Sequence, residues 1–286
     1  MTARREPSPA WSERIARREP SPARSERIAR TEPSPARSET TARTEPSPAR
    51  SQLLRAVTID WEKIDRGSYL RDIVALAGVE EITFEKAVTF FVGENGSGKS
   101  TLLEAIAVAC GFNPEGGTRN YNFSTYDSHS ELYGAMRLVR GIRRIDWGYF
   151  LRAESFYNVA TKEDEYSRGP GGVPQHYHER SHGESFLALA QNSFRGGGLY
   201  LLDEPEAALS PQRQLTLLLE IVRCAREGAQ FLIVTHSPIL LGIPGAEILT
   251  FDDGPIHPCE YEDTDSYKVT SMFVNNREQV LRMLLE

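Results

Sequence analysis

The sequence predicts an α/β fold: a mostly parallel sheet flanked by helices, with a small antiparallel β lobe. Three observations carry this. The short apolar runs Val88–Val92, Leu199–Asp203 and 231–234 are bounded by Gly, Pro and charged residues, as strands buried on both faces are. Helix-prone segments alternate with these runs, the order that crossover connections require. A glycine-rich loop, residues 93–101, joins the first run to a helix-prone stretch, so a strand feeds a helix N-terminus there.

The elements follow in order. Residues 53–60 (LLRAVTID) read as a strand, as do 80–84 and Val88–Val92, which Glu85-Lys86-Ala87 separates. The helix after the loop stops near Gly111. Residues 113–130 are polar, contain Gly and Tyr, and read as loop. Residues 132–139 and 145–151 read as two more strands. Residues 161–180 are charged and then Gly/Pro-rich (RGPGG), a mobile surface loop. Residues 181–194 open with Ser181 and place Glu184 three residues on, a capping box at a helix start. Ser210 and Pro211 are suited to the N-cap and first position of the next helix. Its residues Leu215, Leu218, Leu219, Val222 and Ala225 share one apolar face, and Gly228 ends it. Residues 246–251 and 256–260 read as a closing hairpin, and 264–286 as helix.

Residues 1–52 differ in kind. They repeat every 13 residues (ARREPSPARSERI and close variants), hold eight of the 17 prolines and almost no large apolar side chains. Such a segment cannot bury enough surface to offset its ordering entropy, so disorder is expected. A near-identical short repeat suggests a translated DNA tandem repeat with the natural start near Leu53; a basic Ser-Pro tail for docking or phosphorylation is the alternative. The folded domain is therefore expected over 53–286.

Charge and cysteines narrow the classes. Eleven Arg against seven Glu give the tail +4, which leaves −11 on the rest of a chain whose net charge is −7. An acidic body does not favour broad phosphate-backbone binding, so nucleic acid as a partner is unsupported by charge. Arg137, Arg140, Arg143 and Arg144 form a small basic cluster that reads first as solvated surface. Cys110, Cys224 and Cys259 are scattered, without metal spacing, which suits a reducing cytoplasmic setting. No stretch approaches the roughly 20 apolar residues of a membrane span, and the N-terminus has no apolar signal core. Direct membrane insertion is not expected.

The loop GENGSGKST, Gly93 to Thr101, has the spacing of a phosphate-binding P-loop. Gly93, Gly96 and Gly98 let the backbone curl so that the N–H groups of Glu94, Asn95 and Ser97 and their neighbours converge on one anion. Lys99 can reach the β- and γ-phosphates, and the Ser100 hydroxyl can ligate Mg²⁺, with Thr101 following it into the helix. The second signal is LYLLDEPEAALSP. Asp203 ends an apolar strand, at the sheet edge where the loop also lies. A carboxylate there needs a cation, and Mg²⁺ is the obvious one. Glu204 can hold the attacking water. His236 follows the next apolar strand (FLIVTHSP) and can sense the γ-phosphate.

In this order of motifs, residues 53–260 resemble the ABC-type ATPases, and the DEPE…LSP form is similar to the soluble, AAA-annotated and DNA-repair-like members. The family's Leu-Ser-Gly-Gly-Gln signature aligns with Arg180, Ser181, His182, Gly183 and Glu184. The resemblance implies that Ser181 and Gly183 touch ATP bound on an opposite subunit, giving a head-to-tail homodimer around two ATP molecules, and His182 departs from the pattern in that contact. It also implies ATP hydrolysis with Mg²⁺ by a switch or motor head acting for an unknown protein partner. GYFLRAESF, residues 148–156, stands at the Q-loop position. Glu154 is the candidate there for Mg²⁺ or water and Arg152 the rival for phosphate, and either can instead form an internal salt bridge. Tyr69 is a weak candidate for adenine contact. About 80 residues separate Ser100 from Ser181, without sustained heptads, so the head carries no coiled-coil arms. The rivals are a detached nucleotide-binding subunit of a transporter, an ATP-clamped binding module with negligible hydrolysis, and a small-molecule kinase. A DNA-repair role rests on analogy alone.

Overall fold

A computed structural model describes residues 52–119, 131–153, 156 and 182–285. The 13-residue repeats, and the expected loop at 161–180, lie outside the described residues.

The chain enters through β1 (Leu54–Ile59), which pairs antiparallel with β2 (Glu81–Thr83). Next come β3 (Val88–Val92) and, after the loop, α1 (Lys99–Ala109). A one-turn helix α2 (Leu132–Ala135) leads into β4 (Met136–Arg140), the other antiparallel neighbour of β1. β5 (Gly148–Arg152), α3 (His182–Ser193), β6 (Leu199–Asp203), α4 (Pro211–Arg226) and β7 (Gln230–Val234) follow. The last elements are α5 (Pro238–Leu241), β8 (Glu247–Thr250), β9 (His257–Pro258), α6 (Asp265–Asn275) and α7 (Arg277–Leu285).

Two sheets result. The small one has the order β2-β1-β4. The large one runs β5-β6-β7-β3-β8-β9, parallel from β5 to β8, with β9 antiparallel at the edge. The sequence's α/β reading, with its small antiparallel lobe and closing hairpin, is what the chain forms. β3, β6 and β7 are buried at every position because side chains alternate between two cores. Phe91, Leu201, Leu232 and Val234 face α1 and the small sheet. Phe90, Tyr200, Leu202, Phe231 and Ile233 face α3 and α4.

A buried glutamine joins the sheets. The Gln230 side chain accepts the Leu54 N–H and donates to the Leu54 carbonyl, both at 2.8 Å. It thereby satisfies the backbone of Leu54 on the side that β2 does not reach, since that pairing begins at Ala56.

Several local expectations need correction. Residues 132–139 are not one strand. Leu132 and Ala135 bury together at helical spacing while Tyr133 and Gly134 stay exposed, and pairing begins only at Met136. The strand expected at 145–151 runs from Gly148 to Arg152. Ile145 is buried outside it, its carbonyl taken by Arg119. Ser210 precedes Pro211 as expected but makes no side-chain cap hydrogen bond. On α4 the buried stripe is Leu217, Ile221 and Cys224, whereas Leu215 and Leu219 are 52% and 67% exposed. The segment after Thr264 is two helices that break at Asn276.

Candidate functional site

The site grows from three strand ends that the parallel register brings to one edge. β3 delivers the glycine-rich loop, β6 delivers Asp203, and β7 delivers His236 through Thr235.

Gly93, Gly96 and Gly98 all have left-handed φ, at 137°, 83° and 99°. Gly98 shows why the position requires glycine: a Cβ there would also lie 2.6 Å from Ile73 Cγ2. The loop closes on Lys99, which is 4% exposed and donates from Nζ to the carbonyls of Gly93 and Glu94 at 2.7 Å each. Burial pushes its ammonium below the ordinary lysine value, and Asp252, Glu204, Asp203 and Glu94 oppose that shift. Asp252, just past β8, accepts the Glu94 N–H at 2.8 Å and braces the loop from outside. Asn95 lies on the same side, lining a 560 Å³ cleft with Glu94, Asp252 and His236. Ser100 and Thr101 are in the first turn of α1.

Asp203 is buried, and its Oδ1 accepts the Ser100 hydroxyl at 2.8 Å. Two segments 103 residues apart thus place a hydroxyl and a carboxylate side by side at the mouth of the loop. Glu204 follows in the left-handed region, φ 49° and ψ 51°, its N–H held by the Val234 carbonyl at 3.0 Å. A non-glycine residue is strained there, and the turn separates the side chain of Glu204 from that of Asp203. Glu204 Oε1 lies 3.9 Å from His236 Nε2.

Glu206 was not singled out in the sequence, yet it holds this corner. Its Oε1 accepts the His236 N–H at 2.5 Å. Burial raises its carboxyl above the usual range; the His236 N–H opposes the shift, and the charge of Glu204 adds to it. Ser237 caps α5 and donates to Gln214 of α4 at 2.6 Å, tying the His236 loop to that helix.

Arg152 ends β5 directly beside Asp203 in the parallel register. Its Nη1 meets Glu104 Oε2 at 2.6 Å and its Nε meets Asp203 Oδ2 at 3.4 Å. Of the alternatives open for Arg152, the internal salt bridge is formed, with partners on α1 and the acidic strand. Ser100, Arg152, Asp203 and Glu204 line one cavity of about 340 Å³ with Ala153, Ala207 and Ala208.

Other sequence candidates scatter. Gly183 is buried at the start of α3, where a Cβ would lie 2.6 Å from the Ala208 carbonyl, so close packing on the turn after Glu204 requires glycine there. Ser181 and Glu154 lie outside the described residues. Tyr69 is 57% exposed. Arg137, Arg140, Arg143 and Arg144 are all exposed, and Arg143 donates to the Gly228 carbonyl at 3.2 Å.

The residues present fit a triphosphate with a divalent cation. The Ser97 hydroxyl, inside the loop, is buried without a hydrogen-bond partner among the described residues. Ser100 and Asp203 offer two hard oxygen donors, the number Mg²⁺ takes from protein when phosphate and water complete its shell.

A family model described as AAA domain matches residues 69–167. A second, described as AAA domain, putative AbiEii toxin, Type IV TA system, matches residues 184–242. The chain is 26% identical over 167 residues to the hemin import ATP-binding protein HmuV of Rhodopseudomonas palustris (strain HaA2), covering 51% of this chain and 63% of that protein. The chain thus spans under two thirds of that relative's length. Among solved structures it is similar to cbiO1 from Clostridium perfringens, part of the ABC transporter complex cbiONQ, with TM-score 0.46, 14% identity and coverage of 81% and 99%. It is also similar to the SMC head domain from Thermotoga maritima, with TM-score 0.41, 17% identity and coverage of 73% and 99%. Among the described residues no helix is long and apolar enough to cross a membrane.

Proposed function

We propose that this chain, which belongs to the ABC-type ATPase superfamily, binds ATP with Mg²⁺ and hydrolyses it as a switch or motor head. The observation that carries the reading is the 2.8 Å contact of Ser100 with Asp203 at the mouth of the glycine-rich loop. It supports a shared cation site where the β- and γ-phosphates would end.

The roles follow phosphoryl-transfer chemistry, in which positioning and charge stabilisation dominate. Bound Mg²⁺ would neutralise the developing phosphate charge. The loop N–H groups and Lys99 bind the triphosphate, and Lys99 exchanges two carbonyls for phosphate oxygens. Ser100 and Asp203 orient the cation. Glu204, turned aside by its left-handed backbone, orients the water and takes its proton, and His236 beside it reads the γ-phosphate. Ser181 and Gly183 complete the site of a second copy in an ATP-sandwiched homodimer. The head works in the cytoplasm for a protein partner.

Equilibrium binding of ATP with and without Mg²⁺ tests the reading. Lys99→Ala should weaken binding by about 10- to 100-fold, the worth of a charge-assisted contact. Unchanged affinity in that variant would refute the assignment. A second reading, the nucleotide-binding subunit of a transporter, is favoured by the likeness to the hemin import protein. It predicts that the chain sediments with membranes only when a membrane-spanning partner is present.

A further inference from the structure

Arg152 stands where the fold cannot keep it out of the site. It is the last residue of β5, and the parallel register sets it against Asp203, the last residue of β6. Its guanidinium bridges Asp203 Oδ2 and Glu104 Oε2 and lines the same 340 Å³ cavity as Ser100 and Glu204. Two properties of this arrangement matter. The contact with Asp203, at 3.4 Å, is longer than that with Glu104, at 2.6 Å. And Asp203 is the carboxylate that the Ser100 contact marks as a cation ligand.

We propose that Arg152 is a further catalytic residue, a cation supplied from the chain's own sheet edge that meets the γ-phosphate during hydrolysis. The proposal rests on the ATP-hydrolysis reading of this same site. When the site is empty, Arg152 neutralises Asp203. Once Asp203 turns to a divalent cation, two positive groups compete for one carboxylate, and the guanidinium loses the weaker of its two anchors. Glu104 sits one turn of helix beyond Ser100 and keeps it tethered at the cavity wall. Of the other anions at that cavity, Glu204 lies towards His236, its Oε1 3.9 Å from Nε2, so the terminal phosphate is the one the freed guanidinium would meet. A planar guanidinium suits its oxygens, and charge placed there acts where negative charge develops.

The test compares wild type with Arg152→Ala and Arg152→Lys, using three readouts. The first is the kcat against KM split for ATP. The second is affinity for MgADP with aluminium fluoride, a stand-in for the transferring phosphoryl group, relative to MgADP alone. The third is Mn²⁺ binding to the ATP complex, followed by electron paramagnetic resonance. For Arg152→Ala, kcat should fall about 100-fold or more with KM within about threefold, as when a transition-state donor is removed. The preference for the fluoride complex should fall by a similar factor while Mn²⁺ affinity holds, and Arg152→Lys should recover part of both. Two results would overturn the assignment. An unchanged kcat and fluoride preference would leave Arg152 a neutraliser of the empty site. A parallel loss of Mn²⁺ affinity would make it a holder of Asp203. Denaturant midpoints of the variants separate these from unfolding. Wild type that binds ATP without turning it over would fault the underlying reading instead.

Discussion

At the residue scale, the corner formed by Glu204, Glu206 and His236 concentrates the unusual physics. Glu204 keeps a strained backbone, at a cost of order 1–3 kcal/mol, so that two adjacent acids face different tasks. Glu206 is half-buried, and its carboxyl is held above the usual range chiefly by loss of solvent. The sign follows from linkage. A carboxyl whose folded value exceeds its unfolded one binds its proton more tightly when folded, so its contribution to stability is lost as pH rises from about 4. Glu206→Gln keeps an acceptor for the His236 N–H but removes the titration. The variant should therefore gain stability relative to wild type as pH goes from 4 to 7. Denaturant melts across that range check it, and a relative loss would contradict the burial account. Lys99, Ser100, Asp203, Glu204 and His236 were legible in sequence because each ends or follows an unmistakable apolar strand. Glu104, Arg152's tether, and Asp252, the loop's brace, were not. Each meets the site through a strand register or helix position remote in sequence, with no motif around it.

At the element scale, the buried strands were legible because continuous apolar runs have one stable home, between two layers. α4 was misread for the opposite reason. Leu215, Leu217, Leu218, Leu219, Ile221 and Val222 are apolar around most of the helix, so periodicity alone leaves the stripe's centre open. Packing against α3 and the sheet selects Leu217, Ile221 and Cys224. Leu217→Ala should cost about 2–5 kcal/mol, the range for a buried leucine. Leu219→Ala should stay within about 0.5 kcal/mol, as an exposed position does. Urea unfolding of the pair distinguishes the two stripes, and the reverse ranking would restore the sequence-based face. The turn at 132–135 shows the same limit at shorter range. Four residues carry too little periodicity to separate a helical turn from the start of a strand.

At the scale of the whole molecule, the large sheet positions the chemistry and the small sheet is fastened to it through Gln230. That residue satisfies both backbone polar groups of Leu54 inside the protein. Gln230→Ala strands them and should cost roughly 1–3 kcal/mol per unsatisfied group. Hydrogen exchange at Leu54 should rise above that of β3, and equal protection in the variant would show that the junction is held elsewhere. The α/β layering and the closing hairpin were legible because each follows from strand burial and chain order. The polar link between the antiparallel lobe and the large sheet was not, since it comes from one polar side chain in an otherwise apolar run.

Mg²⁺-dependent ATP turnover, measured for wild type beside Glu204→Gln with nucleotide binding and oligomeric state recorded on the same samples, tests the central claim most directly. Wild type should turn over. The variant should bind ATP as tightly, lose turnover by about 100-fold or more, and accumulate as an ATP-bound dimer. Full turnover by Glu204→Gln would contradict the account, as would wild type that binds ATP and never hydrolyses it.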